Sequence, residues 1–152
     1  MYHFLRGERL REATYAEKKK YLERYYILKK EEQNFDTEIA VINDMYGLHA
    51  VTINGLPKSH NQADLSDSII KIDEKCDNLR REYIKRRAKA VLAGVEILNK
   101  INELDDEDNK RILIQRHVLM QSMKSIAEKE SYSRSGLDKR YRKAVNSIKL
   151  KI

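Results

Sequence analysis

Between Leu119 and Lys143, hydroxyl, apolar and cationic residues are spaced as a reader of a polyanion needs them. Ser125-Ile126-Ala127 is followed, after a short gap, by Ser131-Tyr132-Ser133-Arg134, then Leu137 and Arg140-Tyr141-Arg142-Lys143-Ala144. The Ser133 hydroxyl is placed to cap a helix start. Ala127 is small enough for two helices to approach closely, and Ile126, Tyr132, Leu137 and Tyr141 recur at spacings that form a shared core. That leaves Arg134, Lys139, Arg140, Arg142 and Lys143 for solvent or for phosphates. The chemistry expected is recognition of double-stranded DNA by a helix-turn-helix, with Ser133, Ser135 and residues 138–142 near the start of the reading helix facing the groove. Arg134, Lys139 or Arg140 would pair with guanine edges, each good bidentate pair being worth roughly 1–3 kcal/mol of discrimination. Lys124, Arg142 and Lys143 suit phosphates. Asp138 would repel the DNA backbone but could accept from cytosine, which points to selective readout. Gly136 lowers helix propensity by about 1 kcal/mol relative to Ala and is read as permitting a close approach.

Charge is concentrated in the same place. Residues 122–152 carry nine Lys/Arg against three acids, a net +6, while the whole 152-residue chain is only +7. Residues 1–46 balance at nine of each sign, and 64–104 come to nine cations against eight acids. A localised cationic excess binds phosphates without regard to sequence and releases counterions, so its affinity falls with salt.

The run from Leu119 through Ser125-Ile126-Ala127 to Ser133, Leu137, Arg140, Tyr141 and Ala144 resembles region 4 of bacterial sigma factors, especially the extracytoplasmic-function type. The variant Tyr132-Ser133-Arg134-Ser135-Gly136-Leu137, preceded by a long helical arm and a Gly55-Leu56-Pro57 loop, is closer still to small sigma-like or late-gene transcription regulators of Gram-positive phages and prophages. The likeness covers about residues 105–148. It departs at the turn, where Ser131 stands for the usual Gly and Glu130 for an apolar residue. The resemblance implies a phage-type DNA-binding transcription regulator and a second partner, RNA polymerase, on which region 4 docks. Nothing resembles the promoter-melting region of a full sigma factor. An alternative reading is a DNA-packaging or assembly adaptor like a small terminase subunit. Such subunits usually carry the helix-turn-helix ahead of the oligomerisation helices, the reverse of the order here.

The elements that must position this motif are helices. Charged residues make up 36% of the chain, with 5 Gly, 1 Pro and no Trp, a composition suited to long amphipathic helices and poor for sheets. Thr14-Tyr15-Ala16-Glu17 has the spacing of a capping box. Tyr21, Tyr25, Leu28, Phe35, Ile39, Ile42 and Tyr46 follow at heptad steps, with Glu32 the polar interruption. Gly47, Asn54-Gly55 and Pro57 predict a loop over 47–63, with His49 to Ile53 a candidate extended segment. Asp64 or Ser66 then caps a second helix whose stripe runs Ile69, Ile72, Cys76, Leu79, Tyr83, Arg86, Ala90, Ala93, Ile97, Lys100 and Leu104. Over 64–104 that helix would be ~60 Å long and cannot bury its stripe on itself. The fold class expected is therefore all-α. A coiled-coil helical hairpin arm over 1–104 is followed by a compact three-helix domain over 105–152, with helices near 106–120, 123–130 and 134–149. Aspartates 105, 106 and 108 with Glu107 suit the positive end of a helix dipole. A homodimer through the arm would double a single short reading helix.

Other chemistry finds no foothold. His3, His49, His60 and His117 have neither the spacing nor the Cys partners of a zinc site, and His117 reads as a packing or surface residue. No phosphate loop, nucleophile elbow or metalloprotease pattern occurs, so no enzyme activity, metal or cofactor is expected. The basic run Arg80, Arg81, Lys85, Arg86, Arg87 and Lys89 reads as the solvated flank of a helix. The lone Cys76, the absence of an apolar N-terminal run and of any stretch of ~20 apolar residues predict no membrane and a cytoplasmic protein; the resemblance to phage regulators implies that the cytoplasm is that of a bacterial host.

Overall fold

The computed structural model describes residues 10–53 and 62–152, and these are all-α: five α-helices and no strand. They are α1 (Tyr15–Ile53), α2 (Gln62–Asn102), α3 (Glu107–Leu113), α4 (Met123–Lys129) and α5 (Arg134–Ser147), with one π-helical turn, Ile114–Val118, continuing α3. Helix α1 runs through Ile53, so the break expected from Gly47 onward begins later, and His49 to Ile53 is helical rather than extended. Asn54-Gly55 and Pro57 lie outside the described residues, as do the side chains of the proposed caps Asp64 and Ser66 and of the seam positions Ile42, Tyr46, Ile69 and Ile72.

The packing divides the chain into two units. One comprises residues 27–92 and the other the ends, 10–26 and 93–152 in the described range. Ile97 and Leu104 of the predicted stripe, together with Leu22 and with Ile101, which is buried one position beyond the expected Lys100, belong to one buried cluster with Ile112, Leu113, Ile126, Leu137, Val145 and Ile148. Within the 27–92 unit, Phe35, Cys76 and Ala90 are buried, and the guanidinium of Arg86 lies 4.6 Å from the Phe35 ring centroid. Glu32, the polar interruption of the seam, is buried and accepts from Lys29 Nζ at 2.9 Å.

In the larger unit the local signals take effect at each helix start. Thr14 N–H donates to Glu17 Oε2 at 2.8 Å and Glu17 N–H reaches Thr14 Oγ1 at 3.4 Å, the reciprocal capping box. Asp106 caps α3 by accepting from Asn109 N–H at 3.0 Å, and Ser122 caps α4 by accepting from Ser125 N–H at 3.1 Å. Ser133 caps α5 by accepting from Gly136 N–H at 3.1 Å. A Cβ at Gly136 would stand 2.9 Å from that same Ser133 Oγ, so the glycine here makes room for the cap hydroxyl. Replacing Ser133 with Ala is expected to lower stability by about 1 kcal/mol, read as a shifted urea midpoint.

The chain reverses direction twice through left-handed residues. Met120 (φ 56°) precedes α4 and Ser131 (φ 58°) lies between α4 and α5. Ser131 therefore adopts the backbone for which Gly is usually chosen. Glu130 is half-buried because Arg111 Nε donates to Oε2 at 2.8 Å and Gln115 Nε2 donates to Oε1 at 2.6 Å. A polar clamp to α3 replaces the apolar contact expected there. The residues preceding α1 pair with the C-terminus: Arg11 N–H donates to the Ile152 carbonyl at 2.9 Å and Ile152 N–H donates to the Arg11 carbonyl at 3.0 Å. Buried Lys18 adds a further tie, donating to the Asn146 carbonyl at 2.9 Å and pairing with Glu12 at 2.8 Å.

Candidate nucleic-acid interface

Helix α5 buries Leu137, Tyr141, Ala144 and Val145, which lie on one side at helical spacing. The other sides carry the candidate residues. Arg134, Ser135, Asp138, Lys139, Arg142 and Lys143 are all exposed, as are Ser133 at the cap and Lys124 on α4. Among the described residues Lys124, Arg134, Lys139 and Lys143 have no ion-pair partner, whereas Arg142 sits 5.4 Å from the Tyr15 ring centroid in a cation–π arrangement.

Two clefts flank the first turns of α5. One, of about 510 Å³, lies between α4 and α5 and is lined by Lys124, Arg134 and Asp138 among others. A second, of about 590 Å³, has Ser135, Asp138, Lys139 and Arg142 on one side and Tyr15 and Lys19 of α1 on the other. Met123 and Asp138 line both. The fold thus brings six of the nine sequence-predicted residues, Lys124, Arg134, Ser135, Asp138, Lys139 and Arg142, around adjoining clefts. Sequence reading missed Lys19 and Arg116, which add cations to the larger cleft; no motif near either one signals it.

Arg140 is placed differently from the expectation that it reads guanine. Its Nη2 donates to Asp106 Oδ1 at 3.0 Å and to Oδ2 at 3.1 Å, and lies 3.4 Å from Asp108. The side chain is held on the α3 start because α5 turns it about 100° away from Lys139, toward the acids that cap α3. The Asp106 carboxyl is held below its ordinary range, chiefly by the Asn109 backbone hydrogen bond and also by Arg140 and Lys143, with partial desolvation opposing. Arg140→Gln is accordingly expected to cost about 1 kcal/mol of stability and to leave DNA affinity within about twofold, checked by paired denaturation and binding titrations.

Behind the clefts, His117 is buried and its Nε2 shares a hydrogen bond with Tyr141 Oη at 2.9 Å, the rings packing at 5.8 Å between centroids. Burial lowers the His117 pKa to about 4, helped by Arg116 and Lys19 and opposed by a backbone hydrogen bond at Leu22. Burial likewise raises the Tyr141 phenol, so both are neutral at pH 7. The pair braces α5 from behind. Among the described residues no cluster of three or more His, Cys, Asp or Glu could hold a metal ion, and no helix is long and apolar enough to cross a membrane. Comparison with protein-family models, with curated proteins and with solved structures finds no match.

Proposed function

We propose that the chain is a phage-type DNA-binding transcription regulator in which α4, the turn at Ser131 and α5 act as a sigma region 4-like helix-turn-helix, and in which α1 and α2 form a helical hairpin. The observation that supports this most is the set of exposed cations without ion-pair partners, Lys124, Arg134, Lys139 and Lys143, on the two helices of the motif. Arg111 and Arg140, by contrast, are paired with acids and hold α3 to its neighbours. Cations left unpaired on the motif are available to phosphates and to base edges.

In this reading Ser133, Arg134, Ser135, Asp138 and Lys139 enter the major groove, and Lys124, Arg142 and Lys143 hold phosphates on either side. Arg140 is excluded and instead fixes α5 on α3. Its acidic partners make the α3 side of α5 unfavourable for DNA, so the duplex approaches from the side of the clefts. RNA polymerase is the second proposed partner.

The test is a binding comparison between duplexes from promoter regions of the same genome, its packaging sites and random sequence, each over a salt series. Preference for promoter fragments, strengthened by added RNA polymerase, is the expected result. A high-order ring that binds without promoter preference would favour the packaging adaptor instead.

A further inference from the structure

Within residues 27–92, α2 has a second periodic face that the buried stripe does not use. Cys76 and Ala90 point inward. On the opposite side Ile70, Glu74, Asp77, Arg81, Ile84, Ala88 and Val91 recur at alternating steps of four and three, and all are exposed. Ile70 and Val91 are each 52% exposed and Ile84 is 65% exposed. Apolar residues thus mark the two ends of this seam and charges its middle. On this side acids occupy one half, at Asp73, Glu74 and Asp77, and cations the other, at Arg80, Arg81 and Lys85, with Lys71, Lys75 and Glu82 of opposite sign farther round the helix.

We propose that this face is a homodimer interface in which α2 of one copy lies antiparallel on α2 of a second copy, about a two-fold axis near Leu79. The charge pattern selects both the occupant and its direction. With the axis at Leu79, the antiparallel heptad register sets Ile70 beside Ala88 of the second copy, Asp77 beside its Arg81 and Asp73 beside its Lys85. Each acidic half then covers a basic half, and symmetry makes every such pair occur twice. A parallel arrangement would set Asp77 on Asp77 and Arg81 on Arg81, where like charges repel. The charges decide between the two arrangements: the antiparallel register covers Ile70 with Ala88 but sets Ile84 beside Glu74, whereas a parallel one would cover Ile70 and Ile84 with their own counterparts and bring like charges together in the middle of the seam. The interface does not depend on nucleic-acid binding, although it would place two reading helices in one particle.

The full-length chain should sediment as a dimer at micromolar concentration. Reversing one half, as Asp73→Lys with Asp77→Arg or as Arg81→Asp with Lys85→Asp, should weaken self-association at least about tenfold, because like charges then face each other across the two-fold. Reversing all four in one chain should restore the dimer, since every antiparallel pair is again opposite in sign. All these positions are exposed, and helical circular dichroism checks that each variant is folded. A wild-type monomer throughout, or a dimer insensitive to the half reversals, overturns the proposal, as does failure of the fully reversed chain to recover.

Discussion

Arg134→Ala is expected to weaken binding to a preferred duplex by about 1–3 kcal/mol, roughly fivefold to more than a hundredfold, and to relax the preference at one base position. Arg134 is the first residue of α5, exposed and without an acid partner, and it borders the cleft that separates α5 from Lys124 on α4. Its position and planar fork suit a guanine edge, and loss of such a contact leaves buried base acceptors unpaired. Lys124→Ala and Lys143→Ala should behave otherwise. Each should weaken binding to all duplexes alike and reduce the dependence of log affinity on log salt by about one, the signature of a lost phosphate contact. The contrast between one sequence-selective and two sequence-independent losses, measured by anisotropy titration on matched and mismatched duplexes, separates reading from mere electrostatic adhesion.

Acid should loosen the unit that holds α5 well before its carboxylates are protonated. His117 is neutral in the folded protein with a pKa lowered to about 4, against 6.5 for an ordinary histidine. The unfolded chain therefore takes up a proton as pH falls through 6.5 while the folded one does not, and stability present above 6.5 is lost progressively down to about pH 4. The difference between pH 7 and pH 5 is expected to be about 2 kcal/mol, seen as a lower urea midpoint. Glu17, held at about 2 chiefly by Arg11, adds its own loss only at more acidic pH, so the two ranges are distinct. In a His117→Gln variant the change between pH 7 and pH 5 should shrink to about 0.5 kcal/mol or less. An undiminished change in that variant would assign the acid sensitivity elsewhere.

Features that depend on near neighbours in the chain were legible in the sequence. The Thr14–Glu17 box, the Ser133 cap and the acids beginning α3 rest on contacts three residues apart, and each forms. The heptad stripes were legible for a similar reason: one period places Phe35, Cys76, Ala90 and Ile97 on buried faces whatever covers them. Leu22 escaped, because it lies one position off the stripe yet packs fully against residues more than seventy positions away. Arg140 shows the same limit at the site. A helical period puts it at the flank of the Leu137–Tyr141 side, but only the position of Asp106, 34 residues earlier, decides that it meets a carboxylate rather than solvent. Lys19, Arg116 and the His117–Tyr141 pair were hidden likewise, since each depends on how distant segments pack.

Titration of a labelled duplex with the full chain between 50 and 200 mM salt tests the central claim most directly. Three phosphate contacts from Lys124, Arg142 and Lys143 predict a slope of log affinity on log salt of about −2.7, so that affinity falls roughly fortyfold over that range. Absence of binding at low salt, or a slope near zero, would contradict it.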